Sequence, residues 1–442
     1  MIMNEICKPD AALARLILPQ KPHPGVFYVP SQFVLPLTHH EKHYAFHLLT
    51  KQLVEAELPR AARAGEGFDP LIEAMFLVPE DRDECAYYGS VSKMMRLFGQ
   101  KNGVPSYVIL PTLACNARCV YCYEEGRKQT KMTPETVERT IRYILETRAE
   151  GTITLKWFGG EPLLCPDIID RVSDALREAG VPFRSSVISN GSLITPAIIE
   201  KMTACWNVRH VQISMDGAEP DYIARKHYYA DADQYHFVMD ALSRLSEAGI
   251  HVSLRCNVDD GNWDGIPKFM DDLKEHVAHK DNVSVYFSPL MDVRASDGDL
   301  NFWKKVVAAR PLIEAAGFRS QPFGAPSLKF KANRCMADGG CSVIEPDGSL
   351  YSCEHCPPNG RFGDIFHGVT DEARKAEFCR SDRIREKCRK CPFLPECTGF
   401  ASCPWTDVHC RESHELIALD FLKRLIDQKA NVEEPDGDGS VC

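Results

Sequence analysis

No apolar run in the chain approaches the ~20 residues that a membrane-spanning helix needs. Basic residues are in the minority, with 52 Lys and Arg against 62 Asp and Glu and a net charge of −10. The basic stripe that marks a nucleic-acid-binding surface is therefore missing. These two absences argue against a membrane protein and against a nucleic-acid partner. The opening residues carry one short apolar stretch interrupted by Arg15 and lack the pattern of a secretory signal. No short-period repeat and no low-complexity block occurs before the end. Residues 431–442 (NVEEPDGDGSVC) read as a disordered acidic tail.

Cysteine, by contrast, is plentiful. The chain has 19, and 11 of them fall between Cys335 and Cys442. A secreted disulfide scaffold is usually much smaller than 442 residues. Without an export signal, a large cysteine-rich chain reads as a metal- or cluster-binding protein of the reducing cytoplasm.

The middle of the chain alternates short β-rich runs with amphipathic helical runs. The strand candidates are residues 106–113 (SYVILPTL), 152–158 (TITLKWF), 183–189 (FRSSVIS), 210–215 (HVQISM), 251–258 (HVSLRCNV) and 283–290 (VSVYFSPL). Two of the intervening helices open with Thr133-Pro134 and Thr195-Pro196, an N-cap followed by proline at the first helical position. Alternation of this kind implies parallel βαβ units with right-handed crossovers. The fold class expected is α/β, a partial (β/α)6 TIM-like barrel, its apolar strands buried on both faces. Before it, residues 1–100 form a small α+β segment, with strands over 26–37 and a helix over 44–58. After it, periodicity fades and Cys, Pro and Gly take over. Few apolar residues remain there for a core, so metal is expected to hold this part together. The expected boundaries are 1–100, 101–322, 323–425 and a tail over 426–442.

Directly after the first strand stands Cys115-Asn-Ala-Arg-Cys119-Val-Tyr-Cys122. Active sites of barrels sit at the C-terminal ends of strands. Three thiolates in one loop can hold three irons of a cubane cluster and leave the fourth open to a small molecule, whereas iron–sulfur clusters ordinarily take four cysteines. A structural zinc loop is the alternative, but zinc sites favour Cys-x-x-Cys pairs.

This motif, with Tyr121 before its third cysteine, resembles the signature of radical S-adenosylmethionine (radical SAM) enzymes. The resemblance extends over about residues 105–290. Gly159-Gly160-Glu161-Pro162 follows the second strand, where that family places a turn contacting the methionine amino group. Ser189-Asn190-Gly191 follows the third strand and Ser214-Met215-Asp216-Gly217 the fourth, where relatives approach the ribose and carboxylate. Arg255 and Asn257, on the fifth strand, are further candidates for the carboxylate. The resemblance implies that S-adenosylmethionine binds the open iron. Reductive cleavage then yields a 5′-deoxyadenosyl radical, which takes a hydrogen atom from the substrate.

The later cysteines resemble the SPASM extension of such enzymes, which carries two auxiliary clusters and would bring the total to three [4Fe-4S] clusters. By that analogy Cys335, Cys341, Cys353 and Cys403 hold one cluster, and Cys388, Cys391, Cys397 and Cys410 the other. The gap from Cys397 to Cys403 is longer than in the usual pattern, and Cys356 is an alternative ligand. Two zinc ribbons are the bland reading. Cys7, Cys85, Cys165, Cys205, Cys256 and Cys379 read as small buried residues. His39-His40 and the other histidines lack ligand spacing.

SPASM-type enzymes act mostly on peptides or proteins. The phrases beginning at Phe76 (FLVPEDRDE) and Asp216 (DGAEPDYIARKHY) resemble those of ribosomal-peptide maturases. The expected activity is a thioether or carbon–carbon crosslink in a peptide bearing a leader, with a flavodoxin- or ferredoxin-type electron donor. The N-terminal segment would bind the leader by strand addition or serve as a packing layer over the barrel. A sulfatase-maturating type, oxidising Cys or Ser to an aldehyde, is the second reading, since Glu354 stands where those enzymes keep a carboxylate and could be the catalytic base. The third is a zinc-bearing peptide-binding module without catalysis.

Overall fold

The computed structural model describes residues 3–433 apart from 18, 100–101, 123, 230–232, 291–297, 321–324, 332–339, 356–359, 379–383, 385 and 398–409. The N-terminal segment contributes two small antiparallel sheets. One has β1 (Asn4–Cys7), β5 (Leu53–Glu55), β4 (Lys42–His47) and β3 (Val34–His39) in that spatial order. The other has β6 (Ala62–Arg63), β2 (Phe27–Pro30) and β7 (Leu77–Pro79). Residues 44–58, expected to be helical, are strand and turn instead. Lys51 takes a left-handed backbone there (φ 69°), and its N–H donates to the His47 carbonyl at 2.7 Å. The chain thereby reverses, and β5 can pair with β4.

The central sheet is mostly parallel. Its six long strands are β8 (Ser106–Thr112), β9 (Ile153–Gly159), β10 (Phe183–Ser189), β11 (Val208–Met215), β12 (His251–Val258) and β13 (Val283–Pro289). They lie side by side in chain order. Short β14 (Arg319–Ser320) extends the β13 edge, and β15 (Ser342–Ile344) pairs in parallel with β8. An antiparallel extension follows through β16 (Ser349–Tyr351), β17 (Gly363–Asp364) and β18 (Gly368–Val369).

The intervening helices begin where their caps dictate. Thr133 Oγ1 accepts from Thr136 N at 3.1 Å ahead of Pro134–Thr147, and Thr195 Oγ1 accepts from Ile198 N ahead of Pro196–Ala204. Each bond satisfies an N–H that the first turn leaves unpaired.

β8 is apolar on both faces, as expected, with Tyr107 and Ile109 in one core cluster and Val108 and Leu110 in another, but the strands from β9 to β13 alternate instead. Leu155, Trp157, Val187, Val211, Ile213, Met215, Leu254 and Phe287 face the helices and are fully or almost fully buried. Burial of each such side chain is worth ~1.5–3 kcal/mol. Residues of the opposite parity are mostly polar from β9 to β13, with Lys156, Ser186, His210, Gln212, Ser214, Ser253, Arg255, Asn257 and Tyr286, whereas Val108, Leu110, Phe158 and Ile188 keep the part of that face around β8 apolar. The second face is thus polar over β10 to β13 and apolar beside β8.

The cysteine-rich end is not short of apolar partners. Phe330, Phe393, Leu394, Ala418, Leu422 and Ile426 pack with Leu13, Phe33, Leu35, Phe46, Leu48, Leu49 and Tyr88 in one core. The C-terminal region and the N-terminal segment share this body. The last helix, Cys410–Glu433, runs on past residue 425, where a tail was expected to start. Ile426, buried in the shared core, keeps the chain helical there.

Candidate active site

β8 delivers the chain into the loop of Cys115, Cys119 and Cys122. Thr112 Oγ1 donates to the Thr130 carbonyl and accepts from Ala114 N, each at 2.9 Å, which fixes where the loop leaves the sheet. The loop then pairs with the segment after helix Glu219–Lys226. Arg118 N donates to the His227 carbonyl (2.9 Å), Val120 N to the Arg225 carbonyl (3.0 Å), and Tyr229 N to the Asn116 carbonyl (3.0 Å).

Gly159 and Gly160 make a second clamp. Gly160 N donates to the Thr112 carbonyl and Glu161 N to the Ala114 carbonyl. A Cβ on either glycine would overlap one of those carbonyls, and Gly159 is left-handed at φ 118°. The close approach of the two strand ends therefore requires glycine at both positions.

Glu161 is fully buried. Its Oε1 accepts from Leu163 N (3.1 Å) and Ser189 Oγ (3.0 Å), and its Oε2 from Asn190 N (2.8 Å). Burial pushes its carboxyl up to about 7 against these hydrogen bonds. Pro162 starts the short turn Pro162–Leu164 behind it. Asn190 continues the connection. Its Nδ2 donates to Asn116 Oδ1 at 2.8 Å and lies 3.8 Å from Cys115 Sγ. Glu161, Ser189 and Asn190 form one brace behind the cysteine loop.

A second network joins the remaining sequence candidates. The Tyr121 hydroxyl donates to Asp216, which is fully buried. Asn257 Nδ2 donates to Asp216 Oδ1 (3.0 Å), and Arg255 Nε donates to Asn257 Oδ1 (2.9 Å). Lys226, 2% exposed, donates to Ser214 Oγ at 2.7 Å and stands 3.9 Å from Asp216 Oδ2. Burial disfavours its charge, but Tyr121, Asp216 and Cys119 around it hold the ammonium well above its ordinary range. Sequence reasoning missed Lys226, although it lies within the phrase starting at Asp216. Asn116 was missed too, because only folding brings it to Asn190 and Ser192.

On the polar face of the sheet, Lys156 Nζ lies 3.4 Å from Glu354 Oε1. Both stand close enough to Cys341 and Cys353 to influence the Cys341 thiol, which burial pushes up to about 12. Among the other later cysteines, Cys391 N donates to the Cys388 carbonyl (3.0 Å) and Cys397 N to the Phe393 carbonyl (2.9 Å). Burial first, then Cys410 and Cys388, raise the Cys391 thiol. Cys335, Cys356 and Cys403 lie outside the described residues.

The donor chemistry of the first loop fits an iron–sulfur cluster. Cys119 is near enough to Cys115 to raise that thiol, and Cys122 near enough to Cys119 to raise it in turn. An amide N–H reaches one sulfur, and a buried cation offsets negative charge at another. Such donors and charges are what tune thiolate-bound clusters.

Comparison with known proteins agrees. The Radical SAM superfamily model matches residues 109–273. The radical SAM cyclopropyl synthase TigE of Paramaledivibacter caminithermalis is 24% identical over 371 residues, covering 74% of this chain and 75% of the relative. A serine-type anaerobic sulfatase-maturating enzyme of Bacteroides thetaiotaomicron is 22% identical over 354 residues, covering 68% and 83%. The solved structure of native anSMEcpe with bound AdoMet and Cp18Cys peptide shares the fold. Its TM-score is 0.58 at 19% identity, covering 74% of this chain and 100% of that one. No described helix is long and apolar enough to cross a membrane. Residues 109–273, with their cysteine loop at the end of β8, are thus a radical SAM domain, of a superfamily whose enzymes bind S-adenosylmethionine and a four-iron cluster.

Proposed function

We propose that this enzyme is a maturase of a ribosomally made peptide and installs a thioether or carbon–carbon crosslink in it. In this reading the six parallel strands form a partial (β/α)6 barrel, residues 101–322, whose polar face is the interior. Residues 1–100 receive the leader. The region from residue 323 is a SPASM domain with two auxiliary four-iron clusters, on Cys335, Cys341, Cys353 and Cys403 and on Cys388, Cys391, Cys397 and Cys410. A flavodoxin- or ferredoxin-type donor supplies electrons in the cytoplasm.

The observation that carries the reading is the polar face itself. Barrel interiors are ordinarily filled by branched apolar side chains. Here Lys156 and Glu354 form an ion pair beside Cys341 and Cys353, on the face that also bears Ser214, Arg255 and Asn257. When bound, the cluster and S-adenosylmethionine supply hydrogen-atom abstraction from carbon. The protein does the rest. Ser214, Arg255 and Asn257 offer hydrogen bonds to the sugar and carboxylate, held in place by Tyr121, Asp216 and Lys226. Glu354, oriented by Lys156, takes the proton that leaves the substrate thiol or ring, and the surplus electron would be accepted by an auxiliary cluster held by the later cysteines. Leu110, Val343 and the partly buried Phe158 and Tyr351 limit water beside them.

A second reading, oxidation of Cys or Ser to an aldehyde in a sulfatase, is favoured by the position of Glu354 directly after Cys353 and by the relative from Bacteroides thetaiotaomicron. The non-catalytic zinc module is set aside, because residues 109–273 match the Radical SAM superfamily of enzymes. Mass spectrometry of a small peptide encoded beside the gene, co-expressed with the enzyme, tests the proposal. Loss of two hydrogens with a new internal bond is expected. An unaltered peptide together with an aldehyde in a neighbouring sulfatase would favour the second reading. Failure to release 5′-deoxyadenosine under strong reductant would sink both.

A further inference from the structure

His39 and His40 sit at the β3–β4 hairpin, far from the cysteine loop in the sequence. The two turn residues, His40 and Glu41, both take left-handed backbone, with φ 47° and 60°. Hairpin turns of this kind ordinarily use Asn-Gly. Histidine is among the side-chain-bearing residues that tolerate the conformation, and glutamate is not. One result of the unusual turn is that both imidazoles lie together, ring centroids 3.9 Å apart and tilted by 41°.

Both rings meet a single carboxylate. His39 Nε2 is 2.7 Å and His40 Nε2 2.9 Å from Asp427 Oδ1. Asp427 belongs to the helix Cys410–Glu433, and His39 is separated from it by 388 residues. No spacing rule applied to the sequence could have connected them. The three donor atoms all lie within 4.8 Å of one another. The His39 side chain is 16% exposed, Asp427 43% and His40 72%, so the cluster opens to water on one side.

We propose that His39, His40 and Asp427 are a three-ligand site for a divalent first-row transition ion, of which Zn2+ is the probe, with water completing the shell. Ligand atoms about 2.1 Å from a tetrahedral ion stand about 3.4 Å apart, so small side-chain rotations from the present N···O separations of 2.7 and 2.9 Å would make room for one. Two imidazoles and a carboxylate are a borderline donor set suited to zinc, nickel, cobalt or ferrous iron, and unlike the all-sulfur sets elsewhere in the chain. Hydrogen bonding alone accounts for less. A carboxylate has two oxygens, yet both rings crowd the same one. A second trio, Glu219, Asp233 and His236, has no such feature: Asp233 is already the N-cap of the helix Gln234–Glu247, accepting from His236 N. The ion would staple the hairpin to the last helix, next to the core that the two ends of the chain share. This inference is independent of the reaction proposed above.

The test uses the full-length protein with its clusters in place. It is dialysed anaerobically against buffered low-micromolar Zn2+, and zinc and iron are counted by mass spectrometry. Thermal midpoints are recorded with and without zinc. One zinc per chain is expected in the wild type. It should bind at least tenfold more weakly in His39→Ala/His40→Ala and in Asp427→Asn, with the iron count unchanged, and zinc should raise the midpoint of the wild type only. Asp427→Asn is isosteric and retains a hydrogen-bonding oxygen, so it covers the case in which the double variant fails to fold. Equal zinc in wild type and variants, or zinc gained only as iron is lost, overturns the site. A midpoint lowered equally with and without zinc in the variants would leave only hydrogen bonds, and overturns it as well.

Discussion

In the central sheet each strand from β8 to β13 lies beside its neighbour in the chain. In the flanking body the partners come from opposite ends: Phe33, Phe46 and Leu49 meet Phe393, Leu394 and Leu422 in one core. Gln32 Nε2 donates to the Arg389 carbonyl across 357 residues, and buried Lys51 pairs with Glu396. The two regions differ in the cost of closing their contacts, because the entropy of loop closure grows with the length of chain enclosed. The sheet can assemble progressively from βα units. The flanking body cannot form until both termini are present, and metal at the later cysteines would add to a core that already exists. Chemistry divides along the same line. The proposed S-adenosylmethionine site is built from short connections at strand ends, whereas the proposed auxiliary sites depend on a body that spans the whole chain.

The largest expected effect tests whether the first loop is separable from that body. Cys115→Ala/Cys119→Ala/Cys122→Ala should abolish release of 5′-deoxyadenosine and lower the iron content by about four, from the about twelve that the three proposed clusters would give. Far-ultraviolet circular dichroism should be unchanged. Loss of all iron would show that the loop and the distant cysteines are not independent.

Next in size is Lys226→Met, which leaves Asp216 buried without its cation. Breaking a buried pair by removing one partner costs about 3–5 kcal/mol. Thermal denaturation should show that loss, and binding of S-adenosylmethionine should weaken with it. Lys226→Arg should recover part of both. An unchanged midpoint would mean that Asp216 is carried by Tyr121 and Asn257 alone.

Leu422→Ala strikes the flanking body instead. Removal of a fully buried leucine costs about 2–5 kcal/mol. The body should loosen first, so that iron is lost from the later cysteines while the first loop retains its cluster and still cleaves S-adenosylmethionine. Uniform loss of all iron would argue that the two regions unfold as one unit.

What could be read without a structure follows the same division. The strand limits at residues 183–189 and 251–258, and the Thr-Pro helix starts at 133 and 195, are local signals and coincide with the observed elements. The side-chain candidates Tyr121, Asp216, Arg255 and Asn257 come together in one network because successive strand ends are neighbours in a parallel sheet. Lys226 escaped notice since a lysine at a helix end usually faces water, and only the fold buries it. The shared core escaped for a different reason. The cysteine-rich end alone has too few apolar residues to announce one, and no periodicity links Phe46 to Leu422. Helix continuation to Glu433 has the same origin, because the partners of Ile426 lie at the other terminus.

The smallest effect concerns pH and is confined to the sheet. Glu161 has its carboxyl raised from an ordinary 4.5 to about 7 by burial. Between those values the folded protein keeps a proton that the unfolded chain has released, so stability falls as pH rises through the window. Below about 4.5 both states are protonated, and the contribution is present in full. From pH 5 to pH 7 the loss should be about 2 kcal/mol, since each unit of difference corresponds to about 1.4 kcal/mol at most. Glu161→Gln holds the neutral form at every pH. Its denaturation midpoint for the radical SAM domain should therefore be flatter across the window than that of the wild type. The flanking body, which does not contain Glu161, should show the same pH profile in both proteins. A wild-type midpoint that does not decline between pH 5 and 7 would place the carboxylate in its charged form, held by Ser189, Asn190 and Leu163. The brace behind the cysteine loop would then be an ionic one.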